Sequence, residues 1–230
     1  MATLYHHPID PHSRFIRLVM AELQMEAECI EEWVYERRRE FLLMNPACTL
    51  PVLVEHDGQV VPGANVIAEY LDETRGLVLG DRRLLPEDPA GRVEVRRLMN
   101  WFHQKFYAEV TEPLLHEKIY KLSLAQDAAG RSPNPGTLRA ARSNIRYHLQ
   151  YLGHLLHHRN WLAGDRLTYA DLSAAAHLSA IDYLGDVPWG EAETVKNWYA
   201  RLKSRPAFRP LLADRLRGLT PAVHYTDLDF

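Results

Sequence analysis

The sequence predicts a mixed α/β unit of order βαβαββα, followed by an all-α region. Three observations predict it. Strand-like and helix-like segments alternate through residues 1–80. The stretch "LPVLVEHDGQVVPG" carries Asp57-Gly58, a strong hairpin signal between two apolar runs. Beyond the Pro-, Gly- and charge-rich "GDRRLLPEDPAGR" (Gly80–Arg92), every periodic segment has helical spacing.

The elements follow in order. Thr3–Tyr5 reads as a strand that runs through a Pro-containing turn into a helix over Ser13–Leu23, with Phe15, Ile16, Val19 and Met20 near one face. Ala27–Tyr35 has strand character and includes Trp33, and a short helix around Glu40–Met44 leads to Asn45-Pro46. Two hairpin strands follow, and Asn65–Leu71 closes the unit as a helix. This order implies one mixed sheet covered by helices. Pro51 precedes a strand expected inside the sheet, a position usually closed to proline. A cis Leu50–Pro51 bond reconciles the two.

The predicted organisation is a unit over 1–80, a linker over 81–91, a helical domain over 92–215 and an extended tail over 216–230. Val93–Lys121 is helical with a kink expected at Pro113, and "AGRSPNPG" (Ala129–Gly136) is a loop. Thr137–His158 resumes helical spacing, and Leu172–Leu184 is apolar enough for a central buried helix. Glu193–Lys203 is stopped by Arg205-Pro206. In "LTYADL", Thr168 is the N-cap with Asp171 three residues on, a capping-box variant whose role is structural.

Composition bounds the function. Apolar residues make up 47% and charged residues 25%, ordinary globular usage, and the net charge of −3 argues against a general nucleic-acid binder. No apolar run reaches membrane-spanning length, so no membrane insertion is expected. The two cysteines, Cys29 and Cys48, make no disulfide framework, and a cytoplasmic protein is expected.

Five stretches together carry a resemblance. They are the Leu4-Tyr5 strand with its Ser13-Arg14 helix start, "NPACTLPVL", "NVIAEYL", "LTYADL" and "NWYARLKSRPAF". In this order and spacing the chain resembles the glutathione S-transferase superfamily over nearly its whole length. The resemblance implies a thioredoxin-like N-terminal domain, an all-α C-terminal domain and a homodimer.

Family activity implies a hydroxyl or thiol at the strand–helix turn to steady the glutathione thiolate. Here that position holds Asp10. An ionised carboxylate accepts hydrogen bonds but donates none, and it repels a thiolate. Asp10 reads instead as a turn or cap residue. The family's acidic residue and Ser, which hold the γ-glutamyl end, are replaced by Gly63 and Ala64. Neither side chain offers a charge-assisted bond, each worth about 1.5–3 kcal/mol. Glutathione binding is expected to be weak or absent, with no cofactor and no catalytic residue. The alternative is a divergent glutathione-dependent transferase or peroxidase using Tyr5, Ser13 or Cys48.

Other clusters read as surface. His154 and His158 stand four apart without a Glu or Cys ligand nearby, which fits a solvated helix face. Arg92, Arg96 and Arg97 with Arg139, Arg142 and Arg146 give two basic helix faces, solvated or open to an acidic partner segment.

A fold kept while its ligand site is stripped points to a binding protein. Within the superfamily the pattern resembles the FzlA-type bacterial branch, which binds filaments of the tubulin-like division protein FtsZ. The resemblance implies a homodimer that bridges or curves FtsZ polymer at the division site. On physical grounds the partner surface is expected at the tail "HYTDLDF", with Tyr225, Leu228 and Phe230 as apolar anchors and Asp227 and Asp229 as charged selectors. Trp33 is a second candidate.

Overall fold

The computed structural model describes residues 1–124 and 132–228. Four strands form one sheet in the order β2-β1-β3-β4. β1 (Ala2–His6) pairs parallel with β2 (Ala27–Glu31) and antiparallel with β3 (Val52–Val54), which pairs antiparallel with β4 (Val60–Pro62). Between them run α1 (Pro11–Glu22) and α2 (Arg39–Met44), and α3 (Ala64–Arg75) follows β4. The expected βαβαββα order is therefore present. Gly58 makes the hairpin turn at φ 91°, a conformation that suits glycine, and Asp57 Oδ1 accepts from the Gln59 N–H at 3.1 Å. The Leu50–Pro51 bond is cis, as the position of Pro51 requires.

β2 is shorter than its sequence suggests. β1 ends at His6, and the Glu32 N–H donates to the His6 carbonyl at 2.8 Å, the last link between the two strands. Without a partner beyond that point the chain cannot stay extended as a strand. Trp33 instead precedes a 3₁₀ turn over Val34–Glu36, and Arg37 takes a left-handed conformation at φ 48°.

His6 itself is buried at the C-terminal end of the central strand β1, and its pKa is lowered to about 4, first by burial and then by Arg17. The folded state thus binds this proton less readily than the unfolded chain. The contribution to stability is present above the unfolded value near 6.5 and is lost as pH falls toward about 4. Between pH 7 and pH 5 it amounts to about 2 kcal/mol. Urea unfolding of His6→Asn at both pH values should therefore show about 2 kcal/mol less acid sensitivity than the parent chain.

The helical region begins with α4 (Pro89–Asn100), capped by Asp88, whose side chain accepts from Gly91 N–H at 2.7 Å. The helix continues through Trp101–Thr111, α5 (Glu112–Leu115), His116–Tyr120 and α6 (Lys121–Leu124). At Pro113, where the sequence predicts a kink, the chain stays helical. Helical dihedrals persist at Thr111 and Glu112, and wider i→i+5 turns occupy Trp101–Thr111 and His116–Tyr120 on either side. α7 (Pro135–His157) starts at the Asn134 cap. Residues 129–131 of the expected Ala129–Gly136 loop lie outside the described residues, and its last two, Pro135 and Gly136, belong to α7.

α8 (Tyr169–Tyr183) is buried along its entire length and packs against α1, α4 and the helix that follows α4. Its capping box is complete. Thr168 Oγ1 accepts from Ala170 N–H at 3.3 Å, and Asp171 Oδ2 accepts from Thr168 N–H at 3.0 Å. Asp171 Oδ1 accepts in addition from Leu162 N–H at 2.9 Å and from Trp198 Nε1 at 3.0 Å. α9 (Glu193–Lys203) and α10 (Arg209–Ala213) complete the bundle.

Polar ties join the sheet unit to the helices. Arg14 on α1 is fully buried, and its Nη1 donates to Ser179 Oγ at 2.9 Å and to Tyr225 Oη at 2.8 Å. Its Nε donates to the Pro8 carbonyl at 2.7 Å, and Nη2 lies 3.6 Å from Asp214. Burial works against the charge, but Tyr225 and Asp214 outweigh it and hold the pKa of Arg14 above its ordinary value. Arg17 pairs with Asp214 at 2.7 Å and Arg205 with Glu22 at 2.6 Å.

Candidate functional site

A cleft of about 370 Å³ lies between the sheet unit and the helix after α4. Its first wall is the turn after β1, with His7, Asp10 and His12. Glu32 through Tyr35 form a second wall, Cys48 through Leu50 with Gly63 and Ala64 a third, and Tyr107 and Tyr120 the helical side.

Asp10 is the N-cap of α1. Its Oδ2 accepts from Ser13 N–H at 2.7 Å, and Oδ1 lies 3.6 Å from His12 Nδ1. Burial pushes the carboxyl up, yet the bonds from His12 and Ser13 outweigh it and hold the pKa below the ordinary value. Asp10 is therefore a carboxylate and an acceptor, the wrong polarity for a thiolate. Its reading as a cap residue holds.

Gly63 enters α3 at φ 90°, with its N–H donating to the Pro51 carbonyl at 2.9 Å. A glutamate there would be strained by its backbone alone. Ala64 follows as the first residue of α3. Neither residue offers a side-chain group for an ammonium or a carboxylate.

The remaining candidate nucleophiles separate. Ser13 is fully buried, its Oγ accepting from His7 N–H at 3.3 Å. Tyr5 is absent from the cleft lining and packs on Phe41 at 6.1 Å between ring centroids. Cys48 does line the cleft, at φ 53°, with Sγ 3.3 Å from the Val34 carbonyl.

Aromatic rings dominate the mouth. Trp33 lies 5.0 Å from His7, 5.5 Å from Tyr35 and 5.7 Å from Tyr120, centroid to centroid. Burial drives the Tyr120 hydroxyl well above its ordinary pKa and Tyr107 to higher values as well, so both are neutral phenols. Neither Lys nor Arg is among the lining residues, which leaves Asp10 and Glu32 as their acids. Glu32 is already paired with Arg38. Sequence reading missed Tyr107 and Tyr120, because their helical spacing resembles that of core residues.

The tail is not wholly exposed. Tyr225 is fully buried, stacked edge-on against Tyr183 at 5.1 Å, with its hydroxyl donating to the Leu211 carbonyl at 2.9 Å. This corrects its reading as a surface anchor: the ring and hydroxyl fill the pocket above Arg14. Asp227 and Leu228 are exposed, and the Asp227 carbonyl accepts from Lys203 Nζ. Asp229 and Phe230 lie outside the described residues.

The arginine faces are largely internal ion pairs. Arg96 meets Glu69 at 2.7 Å, Arg97 meets Glu94 at 2.9 Å, Arg142 meets Asp186 at 2.9 Å and Arg146 meets Glu191 at 2.7 Å. His154, in the last turn of α7, and His158, at its C-cap, have ring centroids 5.8 Å apart.

Known proteins agree with this geometry. The model of the glutathione S-transferase N-terminal domain matches residues 11–74, and that of the C-terminal domain matches residues 115–215. The chain belongs to the glutathione S-transferase superfamily. Within it the chain is closely related to FtsZ-localized protein A of Caulobacter vibrioides, 47% identical over 99% of this chain and 98% of that protein. The solved structure of FzlA from C. crescentus superposes with a TM-score of 0.93 at 46% identity, covering 100% of this chain and 99% of that one. A glutathione S-transferase structure from Sinorhizobium meliloti 1021 gives 0.96 at 55% identity, with full coverage of both chains. Among the described residues, no helix is long and apolar enough to cross a membrane.

Proposed function

We propose that this chain is a non-enzymatic, homodimeric member of the superfamily that binds FtsZ filaments, bridging or curving them at the division site to promote constriction. The observation that supports it most is end-to-end similarity, at 47% identity, to a protein named for its localisation with FtsZ. The chemistry of the cleft agrees, since Asp10, Gly63 and Ala64 present no donor to a thiolate and no side-chain partner to the γ-glutamyl end. A dimer carries two filament sites, so the second contact forms at high effective concentration and need not be strong alone.

Co-sedimentation with FtsZ polymer tests the reading. The chain should pellet with polymer and stay in the supernatant without it. The proposed contact surface is Asp227, Leu228, Asp229 and Phe230, with Trp33 at the cleft mouth as the second candidate. The double variant Asp227→Lys, Asp229→Lys should lower the pelleted fraction while the protein remains folded and dimeric. Unchanged pelleting would move the contact surface away from the tail.

Cys48 in the cleft wall favours one other reading, a glutathione-dependent enzyme with a cysteine nucleophile. Passage over glutathione resin separates the two. We expect no retention and no conjugation of a general electrophile; retention with turnover abolished by Cys48→Ala would establish the enzyme instead.

A further inference from the structure

Behind His12 of the cleft wall, three histidines from distant parts of the chain converge. His12 comes from α1, His103 from the wide-turn helix after α4, and His177 from α8. One ring nitrogen from each lies within 4.8 Å of the others. We propose that His12, His103 and His177 form a zinc-binding site that ties the sheet unit to the helical region. This site is independent of the FtsZ reading.

The spacing fits the ion. His103 Nδ1 and His177 Nε2 face each other at 3.2 Å. Zinc–nitrogen bonds of about 2.0–2.1 Å in a tetrahedron place two ligand nitrogens about 3.3 Å apart. The pair is therefore already near the separation that a shared ion requires.

Each far nitrogen also has an oxygen nearby that can accept its proton once the near nitrogen ligates. A ligating imidazole carries its proton on the other ring nitrogen and donates it to an oxygen, which fixes the tautomer and aims the lone pair. His103 Nε2 lies 3.1 Å from Ser173 Oγ, and His177 Nδ1 lies 3.2 Å from Thr111 Oγ1. His12 Nδ1 lies 3.6 Å from Asp10 Oδ1. Three rings thus have three separate oxygen partners, two hydroxyls and a carboxylate. His12 Nε2 now contacts the His103 carbonyl at 3.3 Å and must exchange that contact for the ion.

His12 and Tyr107 both line the cleft, their rings 4.7 Å apart, so the ligand set is reached from the cleft at His12. A three-histidine set suits zinc, whereas magnesium and calcium prefer oxygen ligands.

The test must exclude the surface histidines of α7. The background is therefore His154→Ala, His157→Ala, His158→Ala, stripped with a chelator and titrated with zinc chloride by calorimetry. One zinc per chain is expected, with a rise in Tm. His12→Gln keeps an amide donor for the His103 carbonyl and should weaken zinc at least tenfold, as should His177→Gln. Cobalt chloride should give the visible absorption of a four-coordinate ion, lost in both variants. No one-to-one binding, or equal affinity in the folded parent and His12→Gln, would mean a hydrogen-bonded histidine cluster only and overturn the proposal. Should His177→Gln fail to fold, His12→Gln decides, since His12 is partly exposed.

Discussion

Arg14→Ala is expected to lose about 3–5 kcal/mol of stability and to release the segment around Tyr225. The guanidinium is fully buried and touches Pro8, Ser179, Tyr225 and Asp214, so one side chain links α1, α8 and the tail. Truncation removes those bonds and opens a cavity between the two halves. Ser179 and Tyr225 still donate to Ala176 and Leu211, so the loss falls on the arginine side of the network. Arg14→Met refills much of the space without the bonds, and its unfolding free energy should fall between parent and alanine variant. Urea unfolding measures the stability. Faster trypsin cleavage at the exposed Arg217 would report the freed tail. Equal stability of Arg14→Ala and parent would show that packing alone joins the halves.

Asp171→Ala should cost about 4 kcal/mol. Its carboxylate accepts from Leu162 N–H, Thr168 N–H, Thr168 Oγ1 and Trp198 Nε1, and all four partners lie in the interior. Without the acceptor, two backbone donors and an indole N–H are stranded at the start of the most buried helix. Each stranded group costs about 1–3 kcal/mol, partly relieved by relaxation. Asp171→Asn keeps one acceptor oxygen but turns an N–H pair on the other donors, so its cost should fall between. The tryptophan fluorescence maximum during urea unfolding follows both substitutions, and an unshifted midpoint for the alanine variant would assign the cap no weight.

Local signals made most of the fold legible in the sequence. Asp57-Gly58, Pro51, Thr168 with Asp171, and Asp10 before Ser13 each act over a few residues, and each takes its expected place. What escaped depends on distant partners. Trp33 leaves the strand because β1 ends at His6, which the local pattern of β2 does not contain. Tyr225 is buried by Arg14 and Tyr183, 211 and 42 positions away. In the cleft, Asp10, Gly63 and Ala64 were readable through the family pattern, whereas Tyr107 and Tyr120 were hidden in helical spacing. His103 and His177 carry no sequence signal linking them to His12, because three separate helices bring them together.

The bond between Arg14 and Tyr225 spans 211 positions, and this has a bearing on biosynthesis. Domains tend to fold from the N-terminal end as the ribosome delivers them, at about 5–20 residues per second. The sheet unit therefore emerges many seconds before Tyr225 is polymerised. During that interval Arg14 waits at a half-built interface with water in place of the phenol. Tyr225 is the last of its partners to arrive, so a ribosome pause upstream of it would leave the nascent chain shaped but unsealed.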